Sequence, residues 1–514
     1  MPELTQHERA IVDKVAASGR FLVQGTCHPG GASLKSFNEQ GRPVGSPRIF
    51  EQLGALRDAL ATDGDERTLT VEVRRGENGY ELRRTFDLPH ISPAVAVLDP
   101  GYRYPGHPAP GMPRPHGIDV TAEPTDPAVL AEVSGLVAAF VALYTSIKGE
   151  APDFGPPRTE EEIAAAEASM GLRLPEEVRA LYRSISADNS EHGLLGAHSL
   201  LPLEAVVEWY HQGEPGTETG DDGLFPTYEV VLDTEPAGHV RRGSRSDWWV
   251  TVTTDRGCNY GAVDLDPAAG GRRGQLFEYG RDFHNPVGYI AASVTDVMRD
   301  VVAALRAGEY EKGHEESTYL VAEGNIGRST EADHTRSVRA GERSTAEVVA
   351  GLDGVQQLYL NDADRIELAA LAPLSTLRAL SINRAGRVET PLPHRIPLES
   401  LSLHAGQADL GALACHPTLW HLELSGLSAP VDVAVLAALP ALTALDLSGV
   451  DAVGLELLAD LPGLRVLTLS PEQWRVLRAS DRLPPRLAAA RMGGRTLLDE
   501  AMEWRGWLMG EAAS

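Results

Sequence analysis

The chain has 514 residues, of which 42% are hydrophobic and 23% charged, which is the composition of a globular protein of several domains. Its 73 acidic and 46 basic residues give a net charge of −27. Because a polyanion is repelled by phosphate backbones and anionic lipid, this charge argues against nucleic acid and membrane surfaces as partners and favours a basic protein.

The cysteines and the apolar stretches predict a cytoplasmic protein. Cys27, Cys258 and Cys415 are odd in number and far apart, which fits a reducing compartment rather than a disulfide framework. The first 30 residues contain no long apolar stretch of the kind that a signal peptide needs. The most apolar stretch, 133–147, is too short to span a bilayer, so we expect a buried helix there.

Residues 1–150 are predicted to form a mixed α/β domain. A strand is expected at 21–24 and a helix over Phe50–Leu60, and the alternation at 69–73 predicts a strand that pairs with 80–86 as a hairpin. Residues 100–127 hold eight prolines and four glycines among 28 residues, a density that predicts a long loop.

One segment of this domain has the glycine spacing of a phosphate-binding loop. Such a loop needs a Lys for the terminal phosphates and a Ser or Thr for magnesium, but Gly31 and Ala32 occupy those positions. We therefore predict a plain turn there. No other catalytic motif and no Cys or His pair at metal-ligand spacing was found, so the sequence predicts no catalytic residues, no metal and no cofactor.

Residues 158–310 give the clearest local signals. Thr159 and Glu162 form a predicted capping box that opens a helix, and Gly171 is placed to end it. A second helix is expected to follow Leu174. Strands are then predicted at 248–252, 260–265 and 275–279, with a closing helix that begins near Ser293.

This order of elements resembles the SUKH superfamily, which includes cell-wall-synthesis regulators and bacterial toxin-immunity proteins. The resembling segments are EExIxxxE at 160–167, GLRLPEEVRALY at 171–182, VDLDP at 263–267 and GGRRGQL at 270–276, followed by the helix at Ser293. The resemblance implies an α/β domain that binds partner proteins and has no known catalytic residues.

Charge adds to this interpretation. Residues 158–310 contain 26 acidic and 13 basic residues, a net charge of −13. Within them, residues 204–235 hold nine acids and no Lys or Arg. This acidic run is either a solvated loop or a surface that attracts a basic protein, and for the second case we predict binding through Glu214, Glu218, Asp221 and Asp222.

After a predicted linker at 311–351, an LxxLxL pattern occurs six times. Its central leucines, which are Leu358, Leu380, Leu401, Leu422, Leu445 and Leu467, are separated by 22, 21, 21, 23 and 22 residues. The pattern resembles leucine-rich repeats, which implies a solenoid over 352–514 with a helical C-terminal cap. The Asn that the family usually places after this pattern is absent here.

In such a stack, the residue between the two leucines of each LxL lies on the concave face. This column is a predicted binding surface, made of Tyr359, Ser381, Ser402, Glu423, Asp446 and Thr468.

The sequence thus predicts a multidomain α/β protein with a mixed α/β N-terminal domain, a SUKH-like α/β domain and a C-terminal leucine-rich-repeat solenoid. By resemblance, its expected role is non-enzymatic immunity against a basic toxin effector such as a nuclease. One alternative is a regulatory scaffold that binds cellular proteins through the repeats. Another is an enzyme in residues 1–150 with targeting domains attached. The sequence leaves the partner's identity and the oligomeric state open.

Overall fold

The computed structural model describes residues 5–62, 64–91, 93–107, 113–212, 229–312, 318–324, 326–329, 334–389 and 391–511. Two compact units are present. We call Arg103–His334 the middle unit, and Met1–Tyr102 together with Thr335–Ser514 the repeat unit.

The elements are numbered in chain order. The helices are α1 (Gln6–Ser18), α2 (Phe50–Leu60), α3 (Pro127–Lys148), α4 (Glu160–Met170), α5 (Glu176–Tyr182), α6 (Leu203–Gln212), α7 (Val294–Ala307), α8 (Thr345–Val349), α9 (Pro471–Ser480) and α10 (Leu498–Leu508). Short 3₁₀ helices cover Leu368–Leu371, Leu410–Leu413, Val433–Ala438 and Leu455–Asp460. The strands are β1 (Leu22–His28), β2 (Gly31–Phe37), β3 (Pro43–Val44), β4 (Leu69–Gly76), β5 (Gly79–Thr85), β6 (Ala94–Val97), β7 (Ser199–Leu200), β8 (Trp249–Thr254), β9 (Asn259–Asp264), β10 (Gln275–Gly280), β11 (Gly288–Ala291), β12 (Tyr310–Lys312), β13 (Leu320–Ala322), β14 (Thr335–Gly341), β15 (Gln357–Ala363), β16 (Arg365–Glu367), β17 (Ala379–Glu389), β18 (Ser400–Ala408), β19 (His421–Ser425), β20 (Val431–Asp432), β21 (Ala444–Gly449), β22 (Ala452–Val453), β23 (Val466–Leu469) and β24 (Ala489–Met492).

The middle unit is an antiparallel sheet with helices packed on it. The strand order is β11-β10-β9-β8-β7, and the helices and one face of the sheet share a single hydrophobic core. The predicted capping box is present, since Thr159 Oγ1 accepts from the Glu162 amide and Glu162 accepts from the Thr159 amide. Gly171 ends α4 with φ +70°, the left-handed conformation that glycine adopts without strain.

Helix α3 has 22 residues, more than the 15 of the predicted apolar stretch. By length and composition alone, it is the one helix among the described residues that could cross a membrane. It buries Val133, Val137, Phe140 and Tyr144, which recur at helical spacing, in the core of the middle unit. The predicted buried helix is therefore present, and one face of it lies in this core.

The two units do not divide at the boundary expected near residue 150. Because α3 packs into the core of the middle unit, the division falls after Tyr102. The stretch 311–351, expected to be an irregular linker, contains β13, β14 and α8. Buried Leu320 and Ala322 belong to the middle core, whereas buried Val348 and Val349 belong to the core of the repeats.

Residues before Tyr102 form an antiparallel sheet of their own within the repeat unit. The order is β3-β2-β1-β4-β5, and helices α1 and α2 pack on it. The glycine-rich segment at 25–32 lies in the hairpin of β1 and β2, where Cys27 pairs with Ala32. This geometry agrees with the predicted turn, because paired strands leave no loop around which a phosphate could be bound.

The LxxLxL segments of the repeat unit pair in parallel and in register. The sheet order is β14-β15-β17-β18-β19-β21-β23-β24-β6, and Leu422 lies between Leu401 and Leu445 on neighbouring strands. All six central leucines are at most 2% exposed and share one core. The far end is closed by β6, a segment from residues 94–97 that pairs antiparallel with β24.

Candidate partner-binding surfaces

The charged residues of the SUKH-like motifs form a buried ion-pair network in the middle unit. Arg179 on α5 is 2% exposed and contacts the carboxylate of Glu167, which is fully buried, on α4. Its other terminal nitrogen lies 2.8 Å from Oε2 of Glu160. Glu167 also accepts from the Leu174 amide at 2.8 Å. These motif residues therefore hold α4 and α5 together, which is a structural role.

A Thr–His–Glu arrangement lies at the sheet of the same unit. His198 Nε2 is 3.2 Å from Oε2 of Glu278, and its Nδ1 is 3.2 Å from the hydroxyl of Thr253. Such a chain resembles a catalytic triad in connectivity, but Thr253 is 0%, His198 2% and Glu278 1% exposed. Because a nucleophile must reach its substrate, we assign this network to the core.

The four predicted binding acids, Glu214, Glu218, Asp221 and Asp222, lie outside the described residues. The described part of the acidic run begins in α6, so its first residues are helical and do not belong to a loop. Glu204 on this helix pairs with Arg158 at 2.7 Å, and Glu208 is exposed. On the other side of the gap, Glu235 is exposed.

Next to α6, half-buried aromatic side chains form a row across the sheet. The ring centroids are 5.4 Å apart for Trp209 and Tyr260, 5.8 Å for Tyr260 and Tyr279, and 6.3 Å for Tyr279 and Trp249. We call these four residues the aromatic row. Aromatic side chains with one exposed face are enriched where proteins bind each other. The sequence did not predict this row, although the aromatic residues on the predicted strands at 248–252, 260–265 and 275–279 were a signal for it.

Two carboxylates interact with residues that are adjacent in sequence to the aromatic row. Burial and the nearby carboxylate of Asp247 raise the pKa of Tyr210 on α6. Asp282, which is exposed, accepts from Asn259 Nδ2 at 3.0 Å, and this bond and its ion pair with Arg281 lower its pKa. The lowered pKa favours the ionised form of Asp282, and Arg281 is its ion-pair partner.

In the repeat unit, the predicted concave column is one continuous row. Tyr359, Ser381, Ser402, Glu423, Asp446 and Thr468 are register partners on successive strands. Because side chains alternate across a strand, this row lies on the sheet face opposite the leucine core, which we call the polar face. Thr468 is buried at 6% exposure and the other five are half-buried.

Polar side chains bond to each other from strand to strand on this face. Ser402 Oγ donates to Glu423 Oε2 at 3.0 Å, and Asn383 Nδ2 donates to Asn361 Oδ1 at 3.0 Å. Ser400 Oγ and His421 Nδ1 are 2.7 Å apart. These bonds fix the side chains before any partner binds, which lowers the entropy cost of association.

No metal-ligand cluster accompanies these surfaces in the described residues. There, no group of three or more His, Cys, Asp or Glu side chains is placed to hold a metal ion. Asp264 on β9 has a strongly raised pKa: burial raises it to about 6, although its hydrogen bonds with Gln275 and the Asp266 amide act in the opposite direction. Asp264 is fully buried.

Most of the middle unit matches the model of a known protein family. Residues 157–300 match the model of the SMI1 / KNR4 family (SUKH-1). This region contains the buried network of Glu167 and Arg179, the aromatic row and the whole acidic run. The chain therefore carries a SUKH-1 domain, as its motifs predicted.

Among solved structures, the chain is similar to the crystal structure of an internalin from Listeria monocytogenes str. 4b F2365, with 18% sequence identity and a TM-score of 0.18. The similarity covers 25% of this chain and 52% of the internalin chain, about half of its length. No curated protein matches the chain at a significant level.

Proposed function

We propose that this is a non-enzymatic, cytoplasmic immunity protein whose SUKH-1 domain binds and neutralises a basic toxin effector, such as a nuclease. The observation that carries the proposal is the SUKH-1 match over a domain with a net charge of −13. A nuclease active site attracts phosphate and is itself basic, so an acidic protein surface can occupy it. The repeat unit, which we interpret as a leucine-rich-repeat solenoid, supplies a second binding surface.

Two parts of the domain contribute in different ways. The acidic run accelerates encounter, because long-range attraction raises the association rate of oppositely charged proteins. The aromatic row supplies short-range anchors, because Trp and Tyr dominate binding energy at interface centres. The proposal therefore separates an effect on the association rate from an effect on the dissociation rate.

The test of steering replaces Glu214, Glu218, Asp221 and Asp222 with the neutral amides. A basic nuclease effector encoded beside this chain serves as partner, and association is measured at about 50 and 500 mM salt, where screening lengths differ severalfold. We expect the wild-type rate to fall steeply with salt, and the variant to start lower and change little. Equal rates and equal salt slopes would show that the run is a solvated loop.

The test of anchoring is Tyr260→Ala, with inhibition of the nuclease as readout. We expect the dissociation rate to rise about tenfold or more, as for an aromatic anchor worth about 1.4 kcal/mol or above. Phe50→Ala is the matched control, since Phe50 is 50% exposed on α2 of the repeat unit. If the Tyr260→Ala variant inhibits the nuclease as well as the wild type does, the aromatic row is not part of the interface.

One observation favours a second candidate, a regulatory scaffold that binds cellular proteins through the repeats. The polar face presents a continuous row of pre-bonded polar side chains. Charge reversal at Glu423, by Glu423→Lys, would abolish partner binding under the scaffold hypothesis and leave nuclease inhibition unchanged under the immunity hypothesis.

A further inference from the structure

A cleft lies on the polar face of the repeat unit, where the last parallel strands meet the N-terminal sheet. Its volume is about 730 Å³. One wall consists of β2, residues 43–46 and Pro93, and the other consists of side chains of β21, β23 and β24 with residues 493–495. A cleft of this size holds a small organic molecule, since ligand pockets commonly measure about 300–1,000 Å³.

The charge of the cleft is opposite to that of the chain. Lys35, Arg491 and Arg495 line it, and Asp446 is the one carboxylate in the lining. Asp446 already accepts from the hydroxyl of Ser448 at 2.7 Å and from its amide at 2.8 Å. Three cations beside one carboxylate, in a protein of net charge −27, form a local positive site.

Arg495 packs against residues of the N-terminal wall. The guanidinium of Arg495 lies 5.9 Å from the ring centroid of Phe37 and packs so closely on Gly41 that a Cβ there would collide with it. Gly41 has φ +76°, a left-handed conformation that glycine adopts without strain. Arg491 extends the row of the polar face, as the register partner of Thr468.

The two walls are joined by a buried polar link. Gln24 Nε2 on β1 donates to the carbonyl of Thr496 at 2.7 Å and to Glu72 Oε2 at 2.9 Å. Glu72, which is 1% exposed, also accepts from the Leu498 amide at 2.9 Å. This link fixes the chain next to Arg495 against the N-terminal sheet, so the cleft has a defined width.

The remaining lining sets the chemistry of the ligand. Leu34, Phe37, Pro43, Val44 and Pro93 supply apolar contact. Gly493 lies so close to Ser448 that a Cβ would collide with its side chain, and glycine therefore leaves the floor of the cleft open. We propose that this cleft binds a small organic anion, with a carboxylate, phosphate or sulfonate held by Arg491 and Arg495 and an apolar body against the N-terminal wall.

The probe for this site is 8-anilinonaphthalene-1-sulfonate, an aryl sulfonate whose fluorescence rises in apolar surroundings. We expect saturable binding of one probe per full-length chain, weakened about tenfold or more in Arg491→Gln and in Arg495→Gln, each of which removes one charge-assisted contact. Arg478→Gln is the matched control, because Arg478 lies outside the cleft and pairs with Glu503 at 2.8 Å. The control should bind like the wild type.

Competition identifies the anionic group. Phenyl phosphate and phenylacetate are titrated against the bound probe, and displacement by one but not the other assigns phosphate or carboxylate. Circular dichroism melting curves confirm that each variant is folded. The proposal is overturned if the neutral analogue N-phenyl-1-naphthylamine binds as tightly as the sulfonate, or if the two cleft variants bind the probe like the control.

Discussion

The buried pair of Glu167 and Arg179 gives a prediction whose size follows from burial. Glu167 is fully buried and Arg179 is 2% exposed. Glu167→Ala leaves the guanidinium with the half-buried Glu160 as its remaining ion-pair partner, and it removes the acceptor of the Leu174 amide. Breaking a buried pair in this way costs about 3–5 kcal/mol, whereas an exposed pair is worth at most about 1 kcal/mol.

The double variant separates the energy of the ion pair from the cost of leaving one of its two charges unpaired. Arg179→Met alone leaves the buried carboxylate of Glu167 without a cation, and we expect a similar loss. Glu167→Ala with Arg179→Met leaves no uncompensated charge, so the double variant should lose no more stability than either single variant. The two costs would otherwise add to about 6–10 kcal/mol, and the difference from that sum measures the coupling.

Native-state hydrogen exchange on the full-length protein resolves the effect locally. In Glu167→Ala, peptides from residues 160–182 should exchange at least about 100-fold faster, which corresponds to about 3 kcal/mol. Peptides from β19 should be unchanged, since that strand belongs to the other unit. Glu161→Ala, at an exposed position on the same helix, is the control. A loss below about 1 kcal/mol in Glu167→Ala would refute the reasoning.

Two further predictions concern the cores. Leu422 is 0% exposed, as its place in a central repeat predicts. Leu422→Ala should therefore lower the free energy of unfolding of the repeat unit, measured in urea, by about 2–5 kcal/mol. Leu457→Ala, at a 36% exposed site, should lower it by much less, and equal losses would contradict the register. The neutral form of Asp264 is favoured in the fold, because its pKa rises to about 6 from 3.8, so stability is lost as pH rises from about 4 to 7, by up to about 3 kcal/mol. Asp264→Asn should flatten this loss in urea titrations at pH 4–7, and a parallel pH profile would show that Asp264 is ionised without cost.

Local patterns predicted the elements well. The capping box at Thr159 and the stop at Gly171 are confirmed, because both depend on residues within one helical turn. The repeat spacing predicted which leucines are neighbours, since a period of 21–23 residues brings equivalent positions onto adjacent strands. The predicted C-terminal cap contains the helix α10, whose Trp504 is buried with its ring centroid 5.5 Å from that of Trp474.

Contacts between distant segments could not be predicted in this way. The alternation of apolar and polar residues in β4 does not show that Glu72 accepts a hydrogen bond from the amide of Leu498, which lies 426 residues further along the chain. The same holds for β6, which was expected in a separate N-terminal domain and instead closes the repeat sheet. The organic-anion cleft depends on both contacts, so Lys35, Arg491 and Arg495 gave no signal in the sequence.

The closure of the repeat sheet by β6 has a consequence for synthesis on the ribosome. The N-terminal segment emerges first, but the residues that Glu72 and β6 contact are made more than 390 residues later. At about 5–20 residues per second, the segment spends roughly 20–85 s without them. During that time, the edge of β6 and the apolar side chains beneath it are open to other nascent chains. Synthesis of β24 and Leu498, rather than emergence of the N-terminal sheet, therefore sets the earliest moment at which the repeat unit is complete.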